Sequence, residues 1–263
     1  MPPTRRALLS AGLALPTLAW PATERVIARR RTPWGRIEVI ELADGRRLLR
    51  EDGQSHSLYD PAHPTALAYD YLQLLAAGLS VWDHPTARIA VIGLGGGSLC
   101  RWVGAHHPGW QRTAVELSRD VVRLARRHFD LDPAVEVHVA DGRAFLDRGE
   151  AFDIVVLDAS SEDYVPAHLT TVEFFRSLEA ELVLMNSWRG APRADDELAT
   201  WCAAFDRPCV LTHAAPTQDN RVLLAAPSGR DVPKLVARRA AHLGVPVAVH
   251  AARSTGRVQH DPT

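Results

Sequence analysis

The stretch Ala87-Arg-Ile-Ala-Val-Ile-Gly-Leu-Gly-Gly-Gly-Ser98 decides the fold. Its first half is apolar apart from Arg88 and reads as a buried strand, and the glycines that follow let the chain turn sharply and approach a ligand closely. Leu99 to Ala105 begins a helix, Thr113 to Val115 is apolar again, and Glu116 stands nineteen residues after Gly97. A strand, a glycine turn, a helix, a second strand and a terminal acid form the arrangement that binds a nucleoside in an open α/β sheet. Gly93, Gly95 and Gly97 are the expected backbone contacts. Glu116 is placed to accept hydrogen bonds from vicinal ribose hydroxyls.

The same alternation continues outward. Val135 to Val139 reads as a strand and delivers Asp141-Gly142 to the carboxyl edge of the sheet, where Asp141 has two open readings. It can accept from an adenine amino group or cap the short helix Asp141 to Leu146. Phe152 to Leu157 is another apolar strand and brings Asp158 to that edge. Helices are expected over Asp120 to Phe129, Val172 to Leu178, Asp195 to Phe205 and Arg230 to Gly244. A strand is expected over Leu182 to Met185, with Cys209 to Thr212 and Val222 to Ala225 as a closing antiparallel pair. The fold class is therefore α/β, a doubly wound and mostly parallel Rossmann-like sheet.

Upstream, Arg25 to Ala28, Arg36 to Glu41 and Arg46 to Leu49, joined by turns at Thr32-Pro-Trp-Gly35 and Ala43-Asp-Gly45, predict a small antiparallel sheet. A loop with Pro61 and Pro64 follows, and Thr65 to Leu79 has helical spacing. The expected organisation is a leader at 1–22, a β-rich region at 23–64 and a nucleoside-binding domain at 65–263. The polar segment from Arg253 to Thr263 is expected to be loose. Thr4-Arg5-Arg6, the apolar run after it and Pro21 resemble a twin-arginine export signal, which leaves localisation open between cytoplasm and export.

Composition narrows the chemistry. A formal net charge of −1 and the absence of a basic run interleaved with aromatics argue against nucleic acid as a partner. Lys234 is the one lysine, so Schiff-base or P-loop chemistry has almost nowhere to sit. Cys100, Cys202 and Cys209 have no metal-ligand spacing, and the scattered histidines, with His106-His107 in a loop, give no metal site. Ser160 and Ser161 lack the nucleophile elbow of a hydrolase. Trp82, Trp102 and Trp110 are expected to pack in the core. No segment after the N-terminus is apolar for long enough to span a bilayer.

Together these residues resemble a class I S-adenosylmethionine-dependent transferase fold, and more narrowly the spermidine synthase (polyamine aminopropyltransferase) family. The narrower likeness rests on Asp52-Gly53, Tyr69, Val115-Glu116, Asp141-Gly142, and Asp158 followed by Pro166-Ala-His-Leu169-Thr-Thr171-Val-Glu-Phe-Phe175. It spans roughly Val26 to Met185. It implies an adenosyl sulfonium cosubstrate, decarboxylated S-adenosylmethionine or S-adenosylmethionine, with its ribose at Glu116, its adenine near Asp141 and no metal. Asp158 would take the place of the acid that orients the attacking amine, with Tyr69, His56, Glu162 and Asp163 as substrate contacts. The implied partner is a small-molecule amine, and a homodimer is a possible assembly.

Three departures weaken the aminopropyl reading. Gly96 stands where the family keeps an aspartate in its glycine loop, Ser161 replaces the second acid of the loop after Asp158, and His56 falls where the family often has glutamine. Glu162 and Asp163 adjoin Ser161. Tyr164 and His168 lie in the same loop, where substrate contact and surface packing are both open. A methyltransferase and a noncatalytic nucleoside-binding homologue remain alternatives on this fold.

Overall fold

The computed structural model describes residues 24–160, 164–226 and 231–262. Strands β1 (Arg25–Thr32), β2 (Gly35–Glu41), β3 (Arg47–Glu51) and β4 (Gln54–Tyr59) form an antiparallel meander. The turns between β1 and β2 and between β2 and β3 fall where the sequence places them. β4 is a strand where the sequence suggested a loop. Asp52 and Gly53 both have positive φ, 44° and 89°, and form the two-residue turn of a β3–β4 hairpin. The Asp-Gly pair suits that turn because its mirror-image geometry matches the twist of the strands.

The second sheet is built from β5 (Ala87–Ile92), β6 (Trp110–Glu116), β7 (Glu136–Val139), β8 (Ile154–Leu157), β9 (Leu182–Trp188), β10 (Cys209–His213), β11 (Asn220–Ala225) and β12 (Val247–Ala251). Its order is β12-β10-β11-β9-β8-β5-β6-β7. The pairs from β7 through β6, β5 and β8 to β9 are parallel, and β11, β10 and β12 add antiparallel. The chain runs outward from β5 to β7 and then returns to the other side of β5 with β8. This reversal opens a crevice at the carboxyl ends of β5 and β8, where open α/β sheets bind ligands.

Helices cover both faces. α1 (Asp70–Leu79), α2 (Ser98–His106) and α7 (Val232–Leu243) pack on one face with Ile89, Val91, Ile154 and Leu184, and Trp82, Trp102 and Trp110 are buried there as expected. α4 (Gly142–Leu146), α5 (Val172–Ser177) and α6 (Ala194–Ala204) cover the other with Phe145, Phe174, Phe175 and Trp201. α3 (Arg119–His128) joins the two sheets, since Val121, Leu124 and the following Phe129 pack against Ile37, Val39, Leu49 and Tyr59.

Three further expectations are corrected. The helix predicted from Thr65 begins at Asp70, because Tyr69 has an extended backbone (φ −103°, ψ 141°) and turns follow Pro61 and Pro64. Tyr69 is thus the helix N-cap and not an interior residue. β12 is an unforeseen strand that covers the edge of β10. Finally, the polar tail is clamped to the body: Arg143 grips both Asp261 oxygens at 2.5 and 2.6 Å, Thr171 donates to Asp261, and Val172 donates its amide to the carbonyl of Gln259. Its polar side chains find fixed partners, which composition alone does not reveal. Among the described residues no helix is long and apolar enough to cross a membrane. The leader at 1–22 lies outside the described residues.

Candidate functional site

The carboxyl ends of β5, β6, β7 and β8 bring the sequence candidates to one edge. Gly93 follows β5 with φ 100°, and an added Cβ would lie 2.4 Å from the main-chain oxygen of Asp158. The first glycine of the loop is therefore fixed by the neighbouring strand end. Gly95 (φ 51°) and Gly93 keep open surface, whereas Gly97 (φ 75°) is buried against Leu131. Gly97 serves the turn into α2 more directly than it serves a ligand. Gly142 is likewise buried, with Ile92 occupying the space of a Cβ.

Gly96 has negative φ, so conformation does not demand glycine there. Space does: a Cβ would come within 2.9 Å of both Phe129 and the Cβ of Ser57. Ser57, on β4, also accepts the Gly96 amide through Oγ at 2.8 Å. Ser57 of the N-terminal sheet and Phe129 after α3 thus plug the position that carries an acid in the resembled family. Sequence inspection registers the missing acid but not the plug.

Glu116 ends β6 with both carboxylate oxygens engaged by backbone amides of the loops on either side. Oε2 accepts from the Leu94 amide at 3.1 Å and Oε1 from the Ser118 amide at 2.9 Å. Burial pushes its carboxyl above the usual range, against the opposing pull of these amides. Glu51 lies within electrostatic range of Glu116, and its carboxyl is also raised, mainly by burial. His56 stands 3.9 Å from Glu51, with its imidazole pKa lowered by burial. It therefore belongs to the Glu51 side of the edge.

Asp141 satisfies the capping reading. Its Oδ1 accepts from the Ala144 amide at 3.0 Å, and its Oδ2 lies 2.8 Å from His168 Nε2. Burial pushes the carboxyl up, but the amides and His168 outweigh it and hold the pKa below the ordinary value. His168 is thus tied to the β7 end of the crevice.

Asp158 follows β8 and retains some open surface although it lies deep in the fold. Burial raises its carboxyl to about 7, with the Asn186 amide pulling the other way. Asn186, on β9, donates to Asp158 Oδ1 at 2.9 Å, and Asn220, on β11, donates to Asn186 Oδ1 at 2.9 Å. Asn220 donates also to the Tyr164 hydroxyl. This chain of amides fixes the orientation of Asn186 and hence one oxygen of Asp158. Tyr69 stacks on Tyr71, with ring centroids 6.0 Å apart, and Tyr71 lies within electrostatic range of Asp158 and Tyr164. Asn186, Asn220 and Tyr71 went unnoticed in the sequence; the Tyr-Asp-Tyr pattern at 69–71 was the available signal for the last. Glu162 and Asp163 lie outside the described residues.

The chain matches the family model described as "Methyltransferase domain" over residues 89–179. It is 29% identical over 158 residues to a polyamine aminopropyltransferase of Vibrio vulnificus, a match that takes in 56% of this chain and 52% of that protein. A probable spermidine synthase from Corynebacterium glutamicum superposes with a TM-score of 0.75 at 22% identity, over 91% of this chain and 98% of the other. The chain has a spermidine-synthase-like class I methyltransferase fold. Human methyltransferase-like protein 13, solved in complex with SAH, shares the fold at a TM-score of 0.58 and 22% identity, over 66% of this chain and 90% of the other. Among the described residues no group of three or more His, Cys, Asp or Glu is arranged to hold a metal.

Proposed function

We propose that this chain is a transferase that moves an alkyl group from an adenosyl sulfonium to an amine. The observation that carries the reading is the junction of Gly93 and Asp158 at the β5–β8 crevice, with Glu116 bonded to the same glycine loop. Glu116 would receive the ribose hydroxyls, Gly93 and Gly95 would give backbone room, and Asp158 would hold the acceptor amine beside the sulfonium. The lone pair of the neutral amine attacks the carbon on sulfur, the C–S bond breaks, and the thioether nucleoside leaves. The proton released from the product nitrogen passes to Asp158 and then to water. Orientation and exclusion of water supply most of the acceleration, with Asp158 as the base.

The group transferred follows from the family likeness as aminopropyl, from decarboxylated S-adenosylmethionine. A second reading, methyl transfer from S-adenosylmethionine, is favoured by the plug of Ser57 and Phe129 at Gly96, which leaves no room for an acid to hold an aminopropyl nitrogen. Calorimetric titration with methylthioadenosine, S-adenosylmethionine and its decarboxylated form tests both. Binding of the decarboxylated form in preference supports aminopropyl transfer, and preference for the carboxylated form supports methyl transfer. Lack of binding by every adenosyl thioether and sulfonium would refute the transferase reading. Nucleoside binding without turnover, equal in native protein and Asp158→Asn, would mark a noncatalytic homologue.

A further inference from the structure

Both polar atoms of the Gly96 backbone are held by side chains from outside the glycine loop. The amide donates to Ser57 Oγ at 2.8 Å, and the carbonyl accepts from Arg101 Nη1 at 2.5 Å. Arg101 stands on α2, just after the loop, and is only 7% exposed. Its guanidinium reaches well beyond Gly96. Nη1 donates also to the Phe129 carbonyl at 2.6 Å, Nε to the Pro64 carbonyl at 3.0 Å and Nη2 to Ser98 Oγ at 3.1 Å. The Tyr59 ring lies against its face, with the centroid 4.7 Å away. An added Cβ on Gly97 would stand 3.5 Å from Nη1, so the group is packed against the loop itself.

Burying a cation is costly, and an apolar side chain in its place would avoid that desolvation. Among the described residues Arg101 donates to carbonyl and hydroxyl oxygens, with Asp130 acting on it only at electrostatic range. What the guanidinium adds is a planar fork of five donors that fixes several acceptors in one geometry, which an ammonium does not do. The loop that receives this fork is the one that Glu116 also holds, through the amides of Leu94 and Gly95. Leu94 and Gly95 are thus set by the strand-end acid, and Gly96 by Ser57 and Arg101.

We propose that Arg101 is the positioning residue of the nucleoside loop: by fixing the Gly96 carbonyl it sets the curve from Gly93 to Gly97, and through Phe129, Pro64 and Tyr59 it ties that curve to the end of α3 and to the N-terminal sheet. The inference rests on the transferase reading above for the ligand and adds the residue that shapes its backbone cradle. Arg101 acts through Gly96 and not by touching the nucleoside. The N-terminal sheet is thereby a working part of the nucleoside site rather than an appendage to it.

The test compares Arg101→Lys, Arg101→Gln and Val103→Ala in the full chain. The two readouts are methylthioadenosine affinity by calorimetry and amide exchange over residues 93–98. Val103 is buried in the core on the same helix, so its variant reports what lost packing alone does. Arg101→Lys keeps the charge and loses the fork. Arg101→Gln also removes the buried charge, which provides a foldable variant should the lysine one not fold. Both should bind methylthioadenosine at least about tenfold more weakly than the native chain, because a displaced cradle loses its ligand steeply, and both should exchange faster at 93–98 with β8 unchanged. Val103→Ala should lower the melting temperature while matching the native chain in both readouts. Native affinity and native loop exchange in the Arg101 variants overturn the inference, as does an equal loss of affinity in Val103→Ala. If the native chain binds no methylthioadenosine, the transferase reading falls, and loop exchange alone decides the positioning role: faster exchange at 93–98 in the Arg101 variants supports it, and native exchange overturns it.

Discussion

A Cβ on Gly93 would stand 2.4 Å from the carbonyl oxygen of Asp158, so the turn after β5 and the end of β8 are in direct backbone contact. The glycine that opens the nucleoside loop and the acid proposed as the base are thereby set by one packing relationship. Gly93→Ala must distort both, because its φ of 100° is also unfavourable to alanine. We expect a loss of about 2–4 kcal/mol of stability, measured by urea unfolding, with loss of nucleoside binding.

Restoring an acid at the plugged position should not restore a function. Gly96→Asp pushes a side chain into Phe129 and Ser57, and about 1–3 kcal/mol of stability should be lost by overpacking. Affinity for decarboxylated S-adenosylmethionine, followed by calorimetry, should not rise. Ser57→Gly together with Gly96→Asp makes room on one side, and the double variant should regain part of the stability lost.

Asp158 provides a pH signature. Its carboxyl is raised to about 7, so it is protonated and unable to accept a proton below that value. Turnover, as kcat/KM, should therefore climb with pH through about 7, and Asp158→Asn should lower it by at least about a hundredfold at pH 8, the range typical of a lost general base. A flat profile from pH 5.5 to 8.5 would argue against Asp158 as the base.

Much of the candidate edge, as an arrangement of strands, turn and acids, is legible in the sequence because each element declares itself locally: apolar strand, glycine turn, acid at the strand end. The relay behind Asp158 is not legible, since it depends on strand register. Asn186 pairs with Val222 and Asn220 with Trp188, which makes the two amides diagonal neighbours across β9 and β11 although thirty-four residues separate them. β4 was hidden because Gln54-Ser-His-Ser57 has no apolar alternation and gains its place by pairing with β3. The tail was hidden for a related reason, its polar residues being matched to Arg143, Thr171 and Thr200 far away in the chain.

Glu197 gives a stability prediction. It is fully buried, bonded to Ser187 at 2.9 Å, and burial raises its carboxyl to about 7 against the pull of Ser187, Arg193 and Arg221. An acid whose folded pKa exceeds its unfolded one supports the fold when protonated. That support is full below about pH 4.5 and is lost as pH rises through about 7. Glu197→Gln should remove this slope and gain about 1–3 kcal/mol over the native protein at pH 8 relative to pH 5, read by denaturant unfolding at the two pH values.

The clamp on the tail should loosen when Asp261 is changed to Asn. Hydrogen bonds from Arg143 and Thr171 hold the Asp261 carboxyl at about 2, so the clamp is present above the ordinary carboxylate pKa and lost only as pH falls through about 2. At pH 7 the variant should show faster amide exchange in α4 and in residues 167–171, with β5 and β8 unchanged. Unaltered exchange in those segments would remove the clamp from any role in holding that end of the crevice.

Arg143 follows the cap Asp141, and its partner Asp261 is 118 residues further along the chain. During synthesis the β7 end of the crevice therefore exists for some time without its fastening, while α5, α6, the last antiparallel strands and α7 are still being made. Translation and folding are coupled through this contact: the nascent chain can lay down its glycine loop early, but it fastens the far side of the crevice only after residue 261 leaves the ribosome.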